Sequence, residues 1–132
     1  MNEFKVSSGK KQEVVDITEQ VKEIVAAGKV KEGLCLIYTP HATAAIIVNE
    51  NWDPNINDDF LDALTALVPA GKWRHDKVDD NGDAHIKAAL VGPSQTFIIE
   101  KGKLLLGQWQ NIMLADFDGP RERKVVVKVV KG

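Results

Sequence analysis

The 132-residue sequence contains a single cysteine, Cys35. It can form no internal disulfide and no all-cysteine zinc site, and nothing in it calls for an oxidising compartment. It also lacks an excess of either charge: 17 lysines and arginines stand against 19 aspartates and glutamates, a formal net charge of −2. A non-specific nucleic-acid binder usually carries a basic excess or patch, so nucleic acid is not expected as a partner. No apolar run approaches the about 20 residues a membrane helix needs. The stretch Met1-Asn2-Glu3-Phe4-Lys5 has no basic segment leading into an apolar one, as a secretory signal would. These absences predict a soluble cytoplasmic chain with no membrane partner. A glycine-rich phosphate loop, a dinucleotide fingerprint and a Gly-x-Ser-x-Gly elbow are missing too. The serines are Ser7, Ser8 and Ser94, none in a nucleophile context.

The remaining composition is that of an ordinary globular domain, 44% hydrophobic and 27% charged. The length fits one domain, residues 1–132. Residues 2–7 and 12–16 alternate polar and apolar, as in a half-buried hairpin turning at Ser7-Ser8-Gly9-Lys10. A helix follows, capped by Asp16 or Thr18 and ended by Gly28. The runs 33–38 and 44–48 read as interior strands. A second helix carries Ile56, Phe60, Leu64 and Leu67 in a stripe. Residues 70–82 read as loop. A third helix, capped by Asp83, would bury Ile86, Ala89 and Leu90. Four strands are predicted after it, over 96–100, 103–106, 109–117 and 124–130. Helices and strands do not alternate strictly, so the expected fold is α+β: a compact single domain with a mostly antiparallel, sandwich-like sheet and about three helices.

Three histidines, His41, His75 and His85, sit at junctions between elements, where scaffolds present functional groups. His85 falls in the first turn of a predicted helix, whose partial positive charge keeps an imidazole neutral, the form a metal requires. The N–H groups of that turn also suit a phosphate. Three neutral imidazoles with a fourth position open would make a catalytic zinc site. Asn49 and Glu50 end a buried strand, a good place for a polar site. Trp109 with Gln110 would stack on and hydrogen-bond a flat ring. Arg121 would clamp an anion. Each residue also has a plain structural reading, as a core, turn or solvent-facing side chain.

Taken in order, His41-Ala42-Thr43-Ala44-Ala45, Asn49-Glu50-Asn51 with Asp53-Pro54, His75, Asp83-Ala84-His85-Ile86-Lys87, Gly107-Gln108-Trp109-Gln110 and Arg121 resemble the YjbQ family, also described as secondary thiamine-phosphate synthases. The resemblance spans nearly the whole chain. It implies a homotrimeric α+β domain that binds a divalent metal, zinc above all, through His41, His75 and His85, with magnesium entering alongside a diphosphate substrate. Ala42 stands where the family often has threonine, and Asn111 where many members have glycine.

The implied function is a metal-binding transferase. It would join a pyrimidine diphosphate to a thiazole phosphate and release pyrophosphate. Glu50 would be catalytic, and Asn49, Trp109, Gln110 and Arg121 would hold the phosphorylated small-molecule substrate. Two alternatives follow from the same residues. One is a metal-dependent hydrolase of a small phosphate ester, with Glu50 or Asp118 as base. The other is a non-catalytic trimeric protein that binds a metal or ligand.

Overall fold

The structure, a computed structural model, describes all residues from Met1 to Gly132. Eight strands and four helices follow in the order β1 (Asn2–Ser7), β2 (Glu13–Asp16), α1 (Thr18–Gly28), β3 (Gly33–Tyr38), β4 (Ala44–Asn49), α2 (Pro54–Leu67), α3 (Asp76–Asp79), α4 (Gly82–Val91), β5 (Ser94–Glu100), β6 (Lys103–Leu104), β7 (Asn111–Asp116) and β8 (Glu122–Lys131). The strands form a five-stranded sheet, β1-β8-β3-β5-β6, and a three-stranded sheet, β2-β7-β4. Every strand pair is antiparallel. The fold is α+β.

The two sheets share one core. Cys35, Ile37, Phe97, Ile99, Val125 and Val127 of the larger sheet meet Ala44, Ile46, Ile112 and Leu114 of the smaller, and Val21 and Val25 of α1 close the edge. The other face of the smaller sheet is covered as well: Ala45, Ile47, Met113, Ala115 and Phe117 pack with Ala84 and Ala88 of α4, with Phe60 and Leu64 of α2 against them. A sheet buried on both faces demands unbroken apolar strands, which accounts for the runs in β4 and β7. The larger sheet is covered on one face only, so β3 alternates. Cys35 and Ile37 are fully buried, while Leu34, Leu36 and Tyr38 stay exposed. The interior reading of β3 is corrected accordingly.

Several local expectations change. β1 and β2 form no hairpin: β1 pairs with β8 and β2 with β7, in different sheets. Alternation specifies a half-buried strand but not its partner. Gly28 is the last residue of α1, and Lys29 takes the left-handed conformation after it. The expected loop over 70–82 contains the short helix α3. Asn81, not Asp83, is the cap residue of α4. The buried side of α4 is also different. Ala84, Lys87 and Ala88 face inward, and Leu90 is 65% exposed. Gly107-Gln108-Trp109-Gln110 makes a turn before β7 rather than starting it, closed by Gln110 N–H donating to Gly107 O at 3.1 Å.

Candidate functional site

Position along β4 divides the candidate residues into two groups. His41 precedes its start and Asn49 and Glu50 follow to its end. Ala44 pairs with Asp116, and Asn49 with Asn111. The five steps between them span about 17 Å of extended chain. Trp109 and Gln110 adjoin Asn111, so they share the end of Asn49 and Glu50. The histidines and Arg121 occupy the opposite end.

At the histidine end, the rings of His75 and His85 meet edge to face with centroids 4.6 Å apart. α4 presents His85, and His75 stands at the N-terminal boundary of α3 with no side-chain capping bond, its Nε2 3.6 Å from Asp79 Oδ2. Two side-chain bonds from Asp76 fix that approach. One Asp76 oxygen accepts from Gly82 N–H at 2.8 Å and the other from Trp73 N–H at 3.1 Å. Gly82 is required here, because a Cβ would lie 2.6 Å from Trp73 Cβ. His41 faces His85 across a recess of about 350 Å³, floored by Ala44, Ala88 and Pro93.

His41 Nε2 accepts the backbone N–H of Lys124 at 2.9 Å. In the neutral ring the proton is then on Nδ1. Burial holds the His41 pKa below the ordinary histidine value, and Arg123, Lys124 and Arg121 reinforce this against the opposing pull of Asp116. With Nε2 engaged, His41 offers no free lone pair. No group of three or more histidine, cysteine or carboxylate side chains in the chain is placed to hold a metal ion. The pair that does converge, His75 and His85, supplies two imidazoles. The turn at the start of α4 is not an open phosphate cradle either. Gly82 N–H goes to Asp76, and the N–H groups of Ala84 and His85 return to Asn81 O at 3.1 and 3.3 Å.

Beneath His41 lies a buried polar network that sequence reasoning missed. Arg123, 3% exposed, donates to both oxygens of the fully buried Asp116, from Nη2 at 2.7 Å and Nε at 3.0 Å. Nη2 also donates to Thr43 Oγ1 at 2.8 Å, and Ser8 Oγ donates to Asp116 Oδ2 at 2.7 Å. Asp118 is buried beside it. Its Oδ1 accepts from Lys11 Nζ, and its Oδ2 from Asn81 Nδ2 at 2.7 Å and Arg121 Nη2 at 2.9 Å. Burial pushes both carboxyls up, but these bonds and charges outweigh it and hold both below the usual carboxylate range. Asp118 is therefore a poor general base. Asn81 Oδ1 is buried without a hydrogen-bond partner. The available signal was the cluster Asp116-Phe117-Asp118-Gly119-Pro120-Arg121, which reads first as a turn.

At the other end, Asn49 Oδ1 accepts Glu50 N–H at 2.8 Å. Asp16 gathers Asn51 and Asn111 at 2.8 and 3.2 Å on one oxygen. Gln110 Oε1 accepts Gly107 N–H at 2.8 Å, so the side chain is partly spent on its own turn. Trp109 is 56% exposed. A recess of about 660 Å³ opens here between α1 and residues 102–111, reaching Gln110 but no histidine.

No helix is long and apolar enough to cross a membrane. The chain matches the family model described as UPF0047 protein YjbQ-like over residues 2–132. It is 46% identical over 127 residues to UPF0047 protein MJ1081 of Methanocaldococcus jannaschii, covering 96% of this chain and 91% of that one. It is 38% identical to UPF0047 protein YugU of Bacillus subtilis, covering 96% of each. Among solved structures, it resembles a YbjQ-like protein of unknown function from Sulfolobus solfataricus, with TM-score 0.96, 39% identity and coverage of 99% and 96% of the two chains. A conserved YjbQ/UPF0047 protein from Clostridium acetobutylicum gives 0.94 and 44%, covering 98% of this chain and all of that one. With the match running from one end of the chain to the other, this protein belongs to the UPF0047, YjbQ-like family.

Proposed function

We propose that the chain is an enzyme acting on phosphorylated small molecules, specifically a thiamine-phosphate synthase that joins a pyrimidine diphosphate to a thiazole phosphate and releases pyrophosphate. The observation that supports it is the placement, at one end of the fold, of the His75–His85 pair, of His41 in the same recess as His85, and of the Arg121 guanidinium on Asp118. A guanidinium offers donors to a departing diphosphate, and imidazoles can take up and return protons.

In this reading Arg121 binds phosphate. Asn49, Glu50, Trp109 and Gln110 reach the same ligand only from another copy, because β4 holds them apart within one chain. The working unit is then a homotrimer in which each histidine end meets a neighbour's Glu50 and Trp109. Zinc at the histidines and magnesium on the diphosphate belong to the reading as ions to be assayed. One chain's imidazoles make no three-ligand set, and the roles above do not depend on a bound ion.

The test incubates the purified full chain with both substrates, with and without zinc and magnesium, and follows thiamine phosphate and pyrophosphate. Product is expected, with turnover falling about a hundredfold in Arg121→Ala. Absence of product under every condition, or release of free phosphate instead, would overturn the assignment. Elemental analysis gives a separate check. Zinc that co-purifies should be lost in His75→Ala and His85→Ala and kept in His41→Ala, because the His41 Nε2 lone pair is taken by the Lys124 N–H, whereas His75 Nε2 only lies 3.6 Å from Asp79 Oδ2.

A further inference from the structure

The Asp118 carboxylate joins two cations that lie far apart in sequence. Its Oδ1 holds Lys11 Nζ, across 107 residues, and its Oδ2 holds Arg121 Nη2 at 2.9 Å. Arg121 Nε also donates to Asp118 O at 2.8 Å, and Ser8 Oγ accepts Arg121 N–H at 3.0 Å. Asn81 Nδ2 pins Asp118 Oδ2 from the start of α4 at 2.7 Å. The carboxylate side chain is only 7% exposed, whereas Lys11 and Arg121 are 58% and 55% exposed.

One buried anion thus anchors two half-exposed cations side by side and neutralises only one of them. The adjacent Asp116 is already matched by Arg123. A lysine commits one of its three donors to such an anchor, and the Arg121 Nη1 donors remain uncommitted. Gly119 lets the strap from Ser8 to Lys11 close over the turn. Gly119 N–H donates to Lys11 O at 2.9 Å, and a Cβ there would meet Lys10 O at 2.2 Å.

We propose that Lys11 and Arg121 are the two arms of a phosphate clamp and that Asp118 is its positioning residue. The ligand chemistry is a terminal phosphate or diphosphate group held by two cations. The inference rests on the reading of Arg121 as a phosphate-binding residue and extends it to a side chain contributed by the opposite end of the chain. Asp118 touches no ligand and acts by fixing where the two charges stand.

The sign of one substitution separates positioning from simple attraction. Asp118→Asn removes a negative charge, so an unorganised positive patch would bind anions more tightly afterwards. A clamp that depends on Asp118 would bind them more weakly, despite the added net positive charge. The measurement titrates the full chain with inorganic phosphate and with pyrophosphate at low ionic strength, followed by amide chemical shifts. Lys11→Gln and Asp118→Asn are each expected to weaken binding about tenfold, the scale of a lost charge-assisted hydrogen bond.

Tighter binding by Asp118→Asn, or unchanged affinity in Lys11→Gln, would overturn the proposal. The second variant alters an exposed side chain, so the proposal can still be overturned where the first fails to fold. Phosphate binding that follows this pattern in a protein that makes no thiamine phosphate would remove the reaction and leave the clamp. Normal synthesis with phosphate binding indifferent to Lys11 would remove the clamp and leave the reaction.

Discussion

Arg123 and Asp116 are both withdrawn from water, and the guanidinium satisfies both carboxylate oxygens. Removing one member strands the other in the interior. Arg123→Ala is expected to lower the unfolding free energy by about 3–5 kcal/mol, read as a shift of the urea midpoint. An unchanged midpoint would mean water reaches the pair. Asp116 and Asp118 are also held below the usual carboxylate range in the fold. A depressed carboxyl stabilises the folded chain above its unfolded pKa of about 3.9 and loses that contribution as pH falls through its folded value. The steepest acid loss of stability is expected below about pH 4, and Asp118→Asn should remove part of it. The long-range pairings of this network were not legible in the sequence. Ser8 and Asp116 are 108 residues apart and Thr43 and Arg123 are 80 apart, and no local pattern marks such pairs. The histidines were legible because their residue type and junction positions carry the signal. That His41 uses Nε2 on Lys124 N–H was not, since a main-chain partner leaves no trace in side-chain chemistry.

The limits of the strands were readable to within a few residues because alternation and apolar runs are properties of one segment. Their partners were not. β1 and β2 carry a hairpin's pattern and turn yet join different sheets. In α4 the wrong face was expected to be buried because its inward side holds a lysine. Lys87 is fully buried, with Nζ 3.4 Å from Asp83 Oδ2 one turn back and 3.2 Å from both Gln12 Oε1 and Thr65 Oγ1. It ties α4 to α2 and to the segment before β2. Lys87→Met is expected to cost about 3 kcal/mol, because Asp83, 5% exposed, loses its cation. The double variant Asp83→Ala/Lys87→Met should cost less than the sum of the two single ones, which a double-mutant cycle in urea would measure.

Across the whole molecule, the uncovered face of the larger sheet carries Leu34, Leu36, Tyr38, Ile98 and Val130, exposed by 38–53%. A contiguous apolar patch on a small domain usually marks an interaction surface. If this face packs against further copies, light scattering should give three times the 14.5 kDa chain mass, and Leu36→Lys should reduce it to one. A monomeric wild type would remove the trimer, and with it the meeting of the histidine end with a neighbour's Glu50.

The double covering of the smaller sheet has a consequence for time as well as for energy. β4 and β7 are enclosed by the larger sheet on one side and helices on the other, so their amides should be the last to exchange with heavy water. α2, with no buried residue of its own, and the four-residue α3 lie on the outermost layer, where opening costs least. His75 travels with that layer and His85 with α4, which packs on the sheet. The two rings are therefore joined only for as long as α3 stays docked through Asp76. Their contact has a lifetime of its own, set by a short peripheral helix and largely independent of how slowly the core unfolds.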